Sequence, residues 1–271
     1  MTRLSFAIFV AVAIALLMIN SIPHLRAGGK ETGPMGEATA RTPVLVELFT
    51  SEACSSCPPA DAVLQNLDRT QPVPNAELVV LSEHVDYWNG TGWTDPYSSR
   101  DFTTRQTDYA FRFRLDGPYT PQMVVDGDAQ LVGSDEREVI HVVDIAAKAA
   151  KLPVTLSSIQ LEGNNTLSVH VEAGPAPSGR KPPSAQVWIA LADDSDQSIV
   201  RHGENAGRTL AHVAVVRSLT QVGALDRGGA FSATVQVDAA NAIAKHLRVI
   251  VIVQEAHQGR VIGVAEARLP D

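Results

Sequence analysis

The pattern of apolar and polar positions changes along the chain, from one typical of an α/β protein to one typical of a β protein. A buried strand is predicted at Pro43–Phe49, and a helix follows from Pro58 onward, because proline is tolerated in a first helical turn. The next predicted elements are a strand at Leu78–Leu81, a polar helix over Ser99–Phe113, a hairpin of Met123–Val125 and Gln130–Val132 that turns at Asp126 and Gly127, and a helix from the capping Ser134 to about Lys151. This βαβαββα order predicts an α/β domain over residues 42–152.

The second part of the chain has the pattern of a β protein. Segments of strand length follow Leu152 and are separated by clusters of Gly, Pro, Asn and Asp; they include VTLSSIQL, NTLSVHVEA, AQVWIALAD, ATVQVDA and RVIVIVQEA. Other structure is expected in the GPAPSGRKPPS loop, in the HGENAGR loop and in a short helical turn near Ala239 to Lys245. The sequence therefore predicts a β-rich, sandwich-like domain over residues 153–271.

The N-terminus has the features of an export signal. Arg3 supplies positive charge, Leu4–Ile19 is almost uninterrupted apolar sequence, and Pro23 and small residues follow. We expect residues 1–27 to be a cleaved signal peptide or, as the alternative, a retained single-span anchor, and residues 28–41 to be a flexible tether. The predicted location is therefore periplasmic or secreted, with attachment to the inner membrane only through a retained N-terminal segment.

Composition and charge narrow the classes of function. The 271 residues are 45% hydrophobic and 19% charged, as in an ordinary globular protein, and the formal net charge is −8. Cleavage of the signal would remove two arginines and no acidic residue, so the mature protein is more acidic still. A nucleic-acid partner is therefore disfavoured. The sequence also lacks a phosphate-binding Gly-rich loop, an HExxH helix and a nucleophile elbow.

The two cysteines of the chain form a Cys-x-x-Cys motif between a predicted buried strand and a predicted helix. This context favours a redox role. The unpaired N–H groups and the dipole of the first helical turn favour a thiolate on Cys54, which can attack a disulfide, and Cys57 can then resolve the mixed disulfide. An inert disulfide, two core thiols and a metal site remain open as alternatives.

Two motifs resemble the thioredoxin superfamily: CSSC between a strand and a helix, and Thr120 and Pro121 directly before the strand MVV. The resemblance implies a thioredoxin-like fold and a cis proline that faces the cysteines and aligns an extended substrate. The phrases VELFTSEACSSCPPAD, HVDYWNGTGW, YTPQMVVDG and RHGENAGRTLAHVAVVR more closely resemble a family of exported bacterial proteins of unknown function, with a thioredoxin-like domain fused to a C-terminal β domain. One departure is Ala53, where thioredoxins carry a tryptophan.

Further candidates follow the second predicted strand. His84 and Asp86 are expected to share a sheet edge with the cysteine turn, because the carboxyl ends of parallel strands meet at one edge. They are a candidate proton relay for the resolving cysteine, with a hydrogen-bonded structural role as the alternative. Trp88, with Tyr87 and Trp93, is predicted to line a substrate groove, or else to pack on its own domain.

Polar residues of the second part are candidates as well. In the HGENAGR loop, Glu204, Asn205 and Arg208 are predicted to fold against the first domain, to bind a small anion, or to form an ordinary hairpin with an internal Glu and Arg pair. His212 is expected to be a satisfied sheet residue. Glu52 either tunes the cysteines or is solvated beside them.

These residues predict an exported thiol–disulfide oxidoreductase that exchanges disulfides with protein partners. Cys54 and Cys57 are the reactive pair, so no cofactor other than their disulfide is required. One alternative is a periplasmic copper- or zinc-binding protein that uses Cys54, Cys57 and His84. The other is a non-catalytic binding module in which the disulfide is only structural.

Overall fold

A computed structural model describes residues 41–163, 165–175, 184–239 and 246–269. The predicted signal peptide or anchor and, except for Arg41, the predicted tether lie outside the described residues. So do most of the GPAPSGRKPPS loop and residues 240–245 of the expected helical turn. Within the described ranges, no helix combines the length and the apolar character needed to cross a bilayer.

The first part of the described chain contains strand, helix, strand, helix, two strands and helix in that order. The elements are β1 (Thr42–Thr50), α1 (Pro58–Thr70), β2 (Ala76–His84), α2 (Arg100–Phe113), β3 (Gln122–Val125), β4 (Ala129–Val132) and α3 (Glu136–Ala146). Helix α3 differs from its prediction at both ends. Its N-cap is Asp135, whose carboxylate accepts the Glu138 N–H, and it ends at Ala146, after which AKAAK offers no large apolar side chain for packing.

The second part of the described chain consists of strands. They are β5 (Val154–Leu161), β6 (Thr166–Ala173), β7 (Ala185–Ile199), β8 (Thr209–Ala224), β9 (Phe231–Asp238), β10 (Leu247–Glu255) and β11 (Val261–Arg268). Strands β7 and β8 have 15 and 16 residues, and they pair along their length as one long antiparallel hairpin. The HGENAGR sequence therefore lies at the tip of this hairpin.

One eight-stranded sheet contains strands from both predicted domains, in the order β11-β10-β7-β8-β2-β1-β3-β4. Strand β1 is parallel to β2 and antiparallel to β3. Strands β2 and β8 are also parallel and share one register pair, Ser82↔Val215. A separate antiparallel sheet has the order β5-β6-β9. The large sheet therefore contains strands from both sides of the domain boundary predicted at residue 152.

Apolar residues are buried on both faces of the large sheet. One core packs α1 and α3 against β1 and contains Leu48 and Leu64. The other lies between the two sheets and includes Val169 of β6. Strand β10 contributes to both cores, with Ile250 in the first and Val251 in the second. A strand covered on both faces has a continuous apolar sequence, as RVIVIVQE does.

A buried ionic cluster connects α2 to the large sheet. Arg105 donates through Nε to the Glu47 carboxylate at 2.6 Å, and the Tyr109 hydroxyl donates to the other oxygen of Glu47 at 2.7 Å. Gln254 of β10 donates to the Tyr109 hydroxyl at 2.8 Å. Burial, and then the charge of Glu47, raise the pKa of the neighbouring Glu83 well above its ordinary value, although Arg105 opposes the shift. The interior therefore favours the protonated form of Glu83.

Candidate functional site

The cysteine turn joins β1 to α1, and its two cysteines form a disulfide with a Cα–Cα distance of 5.4 Å. The Cys57 N–H donates to the Cys54 carbonyl at 3.2 Å, and the Cys57 carbonyl accepts the N–H of Ala60 at 2.8 Å. Cys57 is the N-cap of α1, and Pro58 follows at a position where its missing N–H leaves no bond unmade. Both cysteines are 0% exposed. The disulfide is therefore covered by the surrounding structure.

Thr120 contacts Cys54 and links it to Trp88. The Thr120–Pro121 peptide bond is cis. The Thr120 hydroxyl donates to Cys54 Sγ at 3.3 Å and accepts the indole N–H of Trp88 at 2.8 Å. Of the three predicted substrate-binding residues, Thr120 therefore lies against Cys54, Trp88 is joined to it through Thr120, and Pro121 follows Thr120 across the cis bond. Tyr87, also predicted for the groove, is 39% exposed.

The loop at the tip of the β7–β8 hairpin, residues 201–208 and hereafter the tip loop, packs on the cysteine turn. The side-chain N–H groups of Asn205 donate to the backbone carbonyls of Glu52 at 2.8 Å and Cys54 at 3.0 Å. The Glu204 carboxylate accepts the backbone N–H of Ser55 at 3.2 Å. Asn205 is buried by these contacts. Hydrogen bonds from a distant part of the chain therefore hold both sides of Cys54.

Arg208 and two glycines fix the position of the tip loop. The Arg208 guanidinium donates to Asn205 Oδ1 at 2.8 Å, which orients the amide N–H groups of Asn205 towards the cysteine turn. Gly203 lies against Gly92 of the loop after β2, and a Cβ atom on Gly92 would be 3.1 Å from Gly203 Cα. Gly92 and Gly203 also have φ values of +109° and +77°, which favour glycine. Glu204, Asn205 and Arg208 thus lie against the first part of the chain.

A buried charge cluster of Glu52, Asp61 and His212 lies beside the cysteine turn. His212 Nε2 is 3.3 Å from Glu52 Oε1, and His212 Nδ1 is 3.7 Å from Asp61 Oδ1, an ion-pair distance too long for a hydrogen bond. The side chains of Glu52 and His212 are 0% exposed. Burial opposes the charge of His212, but Asp61 and Glu52 outweigh it and raise the pKa of His212 to about 10. His212 is therefore a buried cation at neutral pH.

Further hydrogen bonds hold the two carboxylates of this cluster. Glu52 accepts the indole N–H of Trp93 at 2.8 Å and the hydroxyl of Ser198. Asp61 accepts the Thr50 hydroxyl at 3.0 Å, and the Asp61 N–H donates to the Cys57 carbonyl at 3.2 Å. The cluster is therefore linked to the cysteine turn through the backbone of α1 as well as through Glu52.

The predicted relay residues His84 and Asp86 have different surroundings. His84 Nδ1 is 2.7 Å from Asp95 Oδ2, which also accepts the backbone N–H of Glu52 at 2.8 Å. Burial raises the pKa of Asp95, but the charge and hydrogen bond of His84 outweigh burial, and the net shift is downward. Asp86 instead accepts the Thr103 hydroxyl of α2 at 2.6 Å. The structure joins His84 to the cysteine turn through Asp95 and holds Asp86 against α2.

A cavity of about 590 Å³ lies between α1 and the β7–β8 hairpin, and His212 forms part of its wall. The other polar side chains that line the cavity include Gln65, Asn66, Asp68, Arg69 and Asp196. Burial raises the pKa of Asp196 to about 6, although the charge of Arg217 lowers it. His212 therefore connects the buried charge cluster to a polar cavity.

The structure gives the predicted metal-binding alternative no geometric support. In the ranges that the structure describes, no three or more His, Cys, Asp or Glu side chains are arranged to hold a metal ion. His84, the predicted third ligand, has its Nδ1 atom engaged by Asp95, and its ring is edge-on to His212 with a centroid distance of 4.7 Å.

Sequence reasoning underestimated Glu52 and His212 and did not single out Asp61 or Asp95. A readable signal existed for His212: it lies in the apolar run LAHVAVV, and the structure buries every residue from His212 to Val216. For Glu52 there was no such signal, because its partners Ser198 and His212 come from distant strands.

Comparison with known proteins identifies relatives along most of the chain. A protein-family profile described as "Protein of unknown function (DUF1223)" matches residues 45–254. A solved structure of a protein from Agrobacterium tumefaciens is 26% identical, covers 84% of this chain and 95% of its own, and has a TM-score of 0.64. HBP35 of Porphyromonas gingivalis is 16% identical, covers 86% of this chain and 77% of its own, and has a TM-score of 0.61, which shows similarity of fold alone. No curated protein matches the chain.

Proposed function

The chain belongs to the DUF1223 family of proteins of unknown function, and we propose that it is an exported thiol–disulfide oxidoreductase. The observation that carries the proposal is the Cys54–Cys57 disulfide at the start of a helix, with the Thr120 hydroxyl 3.3 Å from Cys54 Sγ. A thiolate at this position is favoured by the N-terminus of α1. No other cofactor is needed, because the disulfide itself carries the electrons.

A thioredoxin-like fold for residues 42–152 is part of the proposal. Its support is the strand order β2-β1-β3-β4, in which β1 and β2 are parallel and β3 and β4 are antiparallel. Further support comes from the position of the cysteine turn after β1 and of Thr120–Pro121 directly before β3. On this proposal the remaining strands form the predicted β-rich domain, which supplies the tip loop.

The proposed exchange needs only thiols of a protein partner. A partner thiolate attacks Cys54 Sγ, the Cys54–Cys57 bond breaks, and Cys57 leaves as a thiolate that takes up a proton. A second partner thiolate then attacks the partner sulfur of the mixed disulfide, and Cys54 leaves as a thiolate. Two electrons pass from the partner to the protein, and the partner gains a disulfide. The reverse steps reduce a partner disulfide.

Access to the disulfide requires a change in the tip loop. Both sulfur-bearing residues are buried, and Asn205 and Glu204 hold the turn on which they lie. On this proposal, a partner displaces the tip loop or binds after it opens. On this proposal, a partner is selected by its ability to replace the hydrogen bonds of Asn205 to the Glu52 and Cys54 carbonyls.

Export is proposed from the apolar N-terminal segment and from the disulfide, which persists in oxidising compartments. The partner is then a periplasmic or secreted protein with a thiol pair or a disulfide. The net charge of −8 disfavours nucleic acid as a partner.

The reduction potential of the Cys54–Cys57 pair tests the proposal. The protein is equilibrated in defined glutathione buffers, its thiols are alkylated, and the reduced fraction is read from intact mass. We expect a value between about −120 and −230 mV, which lies within the range of known exchange catalysts. A value below about −300 mV contradicts the proposal.

Trapping of a partner is a second test. Cys57→Ser should retain a partner as a mixed disulfide, and Cys54→Ser, the matched control, should not.

A non-catalytic module with a structural disulfide is the second candidate function. The observation in its favour is the complete burial of both cysteines, since exchange catalysts need an accessible sulfur. The two functions differ in the measured potential and in the effect of Cys54→Ser. A structural disulfide predicts a strongly negative potential and a loss of stability on substitution, without a trapped partner.

A further inference from the structure

The buried charge cluster combines groups from three separate parts of the chain. Glu52 lies two residues before Cys54, Asp61 lies in the first turns of α1, and His212 comes from β8. Two carboxylates therefore approach the cysteine turn within the interior, where charges are screened much less than in water. His212 is the cation between them, 3.3 Å from Glu52 and 3.7 Å from Asp61.

We propose that His212 is a positioning residue that sets the reduction potential of the Cys54–Cys57 pair by neutralising Glu52 and Asp61. This inference rests on the proposed function and deepens it. It gives β8, a strand outside residues 42–152, a role in the redox chemistry. His212 acts on the sulfur atoms through Glu52 and through α1. It is not itself placed in contact with a substrate.

The physical argument concerns the charge that reduction creates. When two electrons from a thiol donor break the Cys54–Cys57 bond, Cys57 becomes a thiol, and Cys54 is left as the thiolate that the N-terminus of α1 favours. Unpaired carboxylates nearby repel a thiolate and favour the disulfide. A cation between those carboxylates removes the repulsion, so the reduced form is stabilised relative to the disulfide. His212 therefore makes the pair easier to reduce.

Other charged and titratable groups also surround His212. They are the same in the wild type and in the variants that test the proposal. His84 of β2 packs its ring 4.7 Å from the ring of His212, and Tyr97 lies 5.7 Å away. Asp196 of β7 is the register partner of His212 and also lines the cavity. Arg217 stacks on Tyr97 at 4.9 Å.

The test measures the redox equilibrium of the Cys54–Cys57 pair in glutathione buffers. It compares the full chain with two variants, one of which removes a positive charge and the other a negative charge. His212→Gln keeps a donor for Glu52 but removes the cation, and we expect it to be at least tenfold harder to reduce, which is about 30 mV for a two-electron couple. Glu52→Gln removes a negative charge and keeps the acceptor, so it should be at least threefold easier to reduce. His141→Gln, on the exposed side of α3, is the matched control and should match wild type.

Opposite shifts support the proposal, because a purely structural role predicts no such sign change. An unchanged His212→Gln equilibrium, or shifts of the same sign, overturns it. If His212→Gln does not fold, Glu52→Gln decides: easier reduction supports the proposal, and unchanged or harder reduction overturns it. If the wild-type disulfide stays oxidised in every glutathione buffer, the proposed function fails, and the same variants compared in dithiothreitol buffers still test His212.

Discussion

The side chain of Asn205 bonds directly to the backbone of the cysteine turn. Its amide donates to the carbonyls of Glu52 and Cys54, and Arg208 holds its orientation. We expect Asn205→Ala to lower the free energy of unfolding by about 1–3 kcal/mol, because buried carbonyls lose their donors. Reduction by dithiothreitol should be severalfold faster, since the tip loop is held less firmly. His202→Ala, in the same loop at an exposed position, is the control. Equal reduction rates in the two variants would contradict this role.

At the scale of a single residue, Glu83 makes the stability of the folded state depend on pH. Its pKa is raised well above the ordinary value of 4.5, so the folded state favours the protonated carboxyl. The stability gained in this way is complete below pH 4.5 and is lost as the pH rises through the raised pKa. Glu83→Gln should therefore be more stable than wild type at pH 8 and similar to it at pH 4. The measurement is urea unfolding at both pH values. Glu77→Gln, at an exposed position on the same strand, is the control and should not change the stability at either pH. A stability difference for Glu83→Gln that does not vary with pH would contradict the raised pKa of Glu83.

At the scale of elements, two loops meet over the cysteine turn and hold each other in place. A Cβ atom on Gly92 would lie only 3.1 Å from Gly203 Cα, so the backbone of Gly203 would have to move, whereas Gly90, with a similar φ of +97°, has open space around it. Gly92→Val and Gly90→Val therefore carry the same kind of backbone strain, but only the first displaces the tip loop. We expect faster reduction of the disulfide by dithiothreitol in Gly92→Val than in Gly90→Val. Equal rates would mean that contact between the loops does not control access.

The elements also show which parts of the structure could be predicted from sequence. Strand β1 and helices α1 and α2 follow from local periodicity and from Pro58 in a first helical turn, and they were predicted to within a few residues. The register pair Ser82↔Val215 and the burial of Glu52 were not predictable, because they depend on strands that are distant along the chain. The residues of the candidate site also fall into a predictable and an unpredictable group. Its cysteines and Thr120 belong to local motifs, whereas His212 reaches it only through tertiary packing.

At the scale of the whole molecule, buried ion pairs bind the two parts of the chain together. Arg248 of β10 is 1% exposed and donates to both carboxylate oxygens of Asp68 in α1, at 2.8 and 2.9 Å, and to Asp194. Arg105 of α2 also donates to the side-chain oxygen of Gln254 in β10 at 3.1 Å. Separating the two parts would leave several buried charges without partners, which costs several kcal/mol for each pair.

We therefore expect residues 41–271 to unfold in one transition, although their length would allow two domains. Circular dichroism and tryptophan fluorescence should give the same urea midpoint. Arg248→Met should lower that midpoint, by about 3–5 kcal/mol in free energy of unfolding, without separating the two signals, because it removes the buried guanidinium that pairs with the partly buried Asp68 and with Asp194. Arg268→Met, at a largely exposed arginine of β11 near the same carboxylate, is the control and should have little effect. Two separate transitions in wild type would instead show that the large sheet unfolds in parts, and the tip loop would then be able to leave the cysteine turn together with the whole β-rich segment.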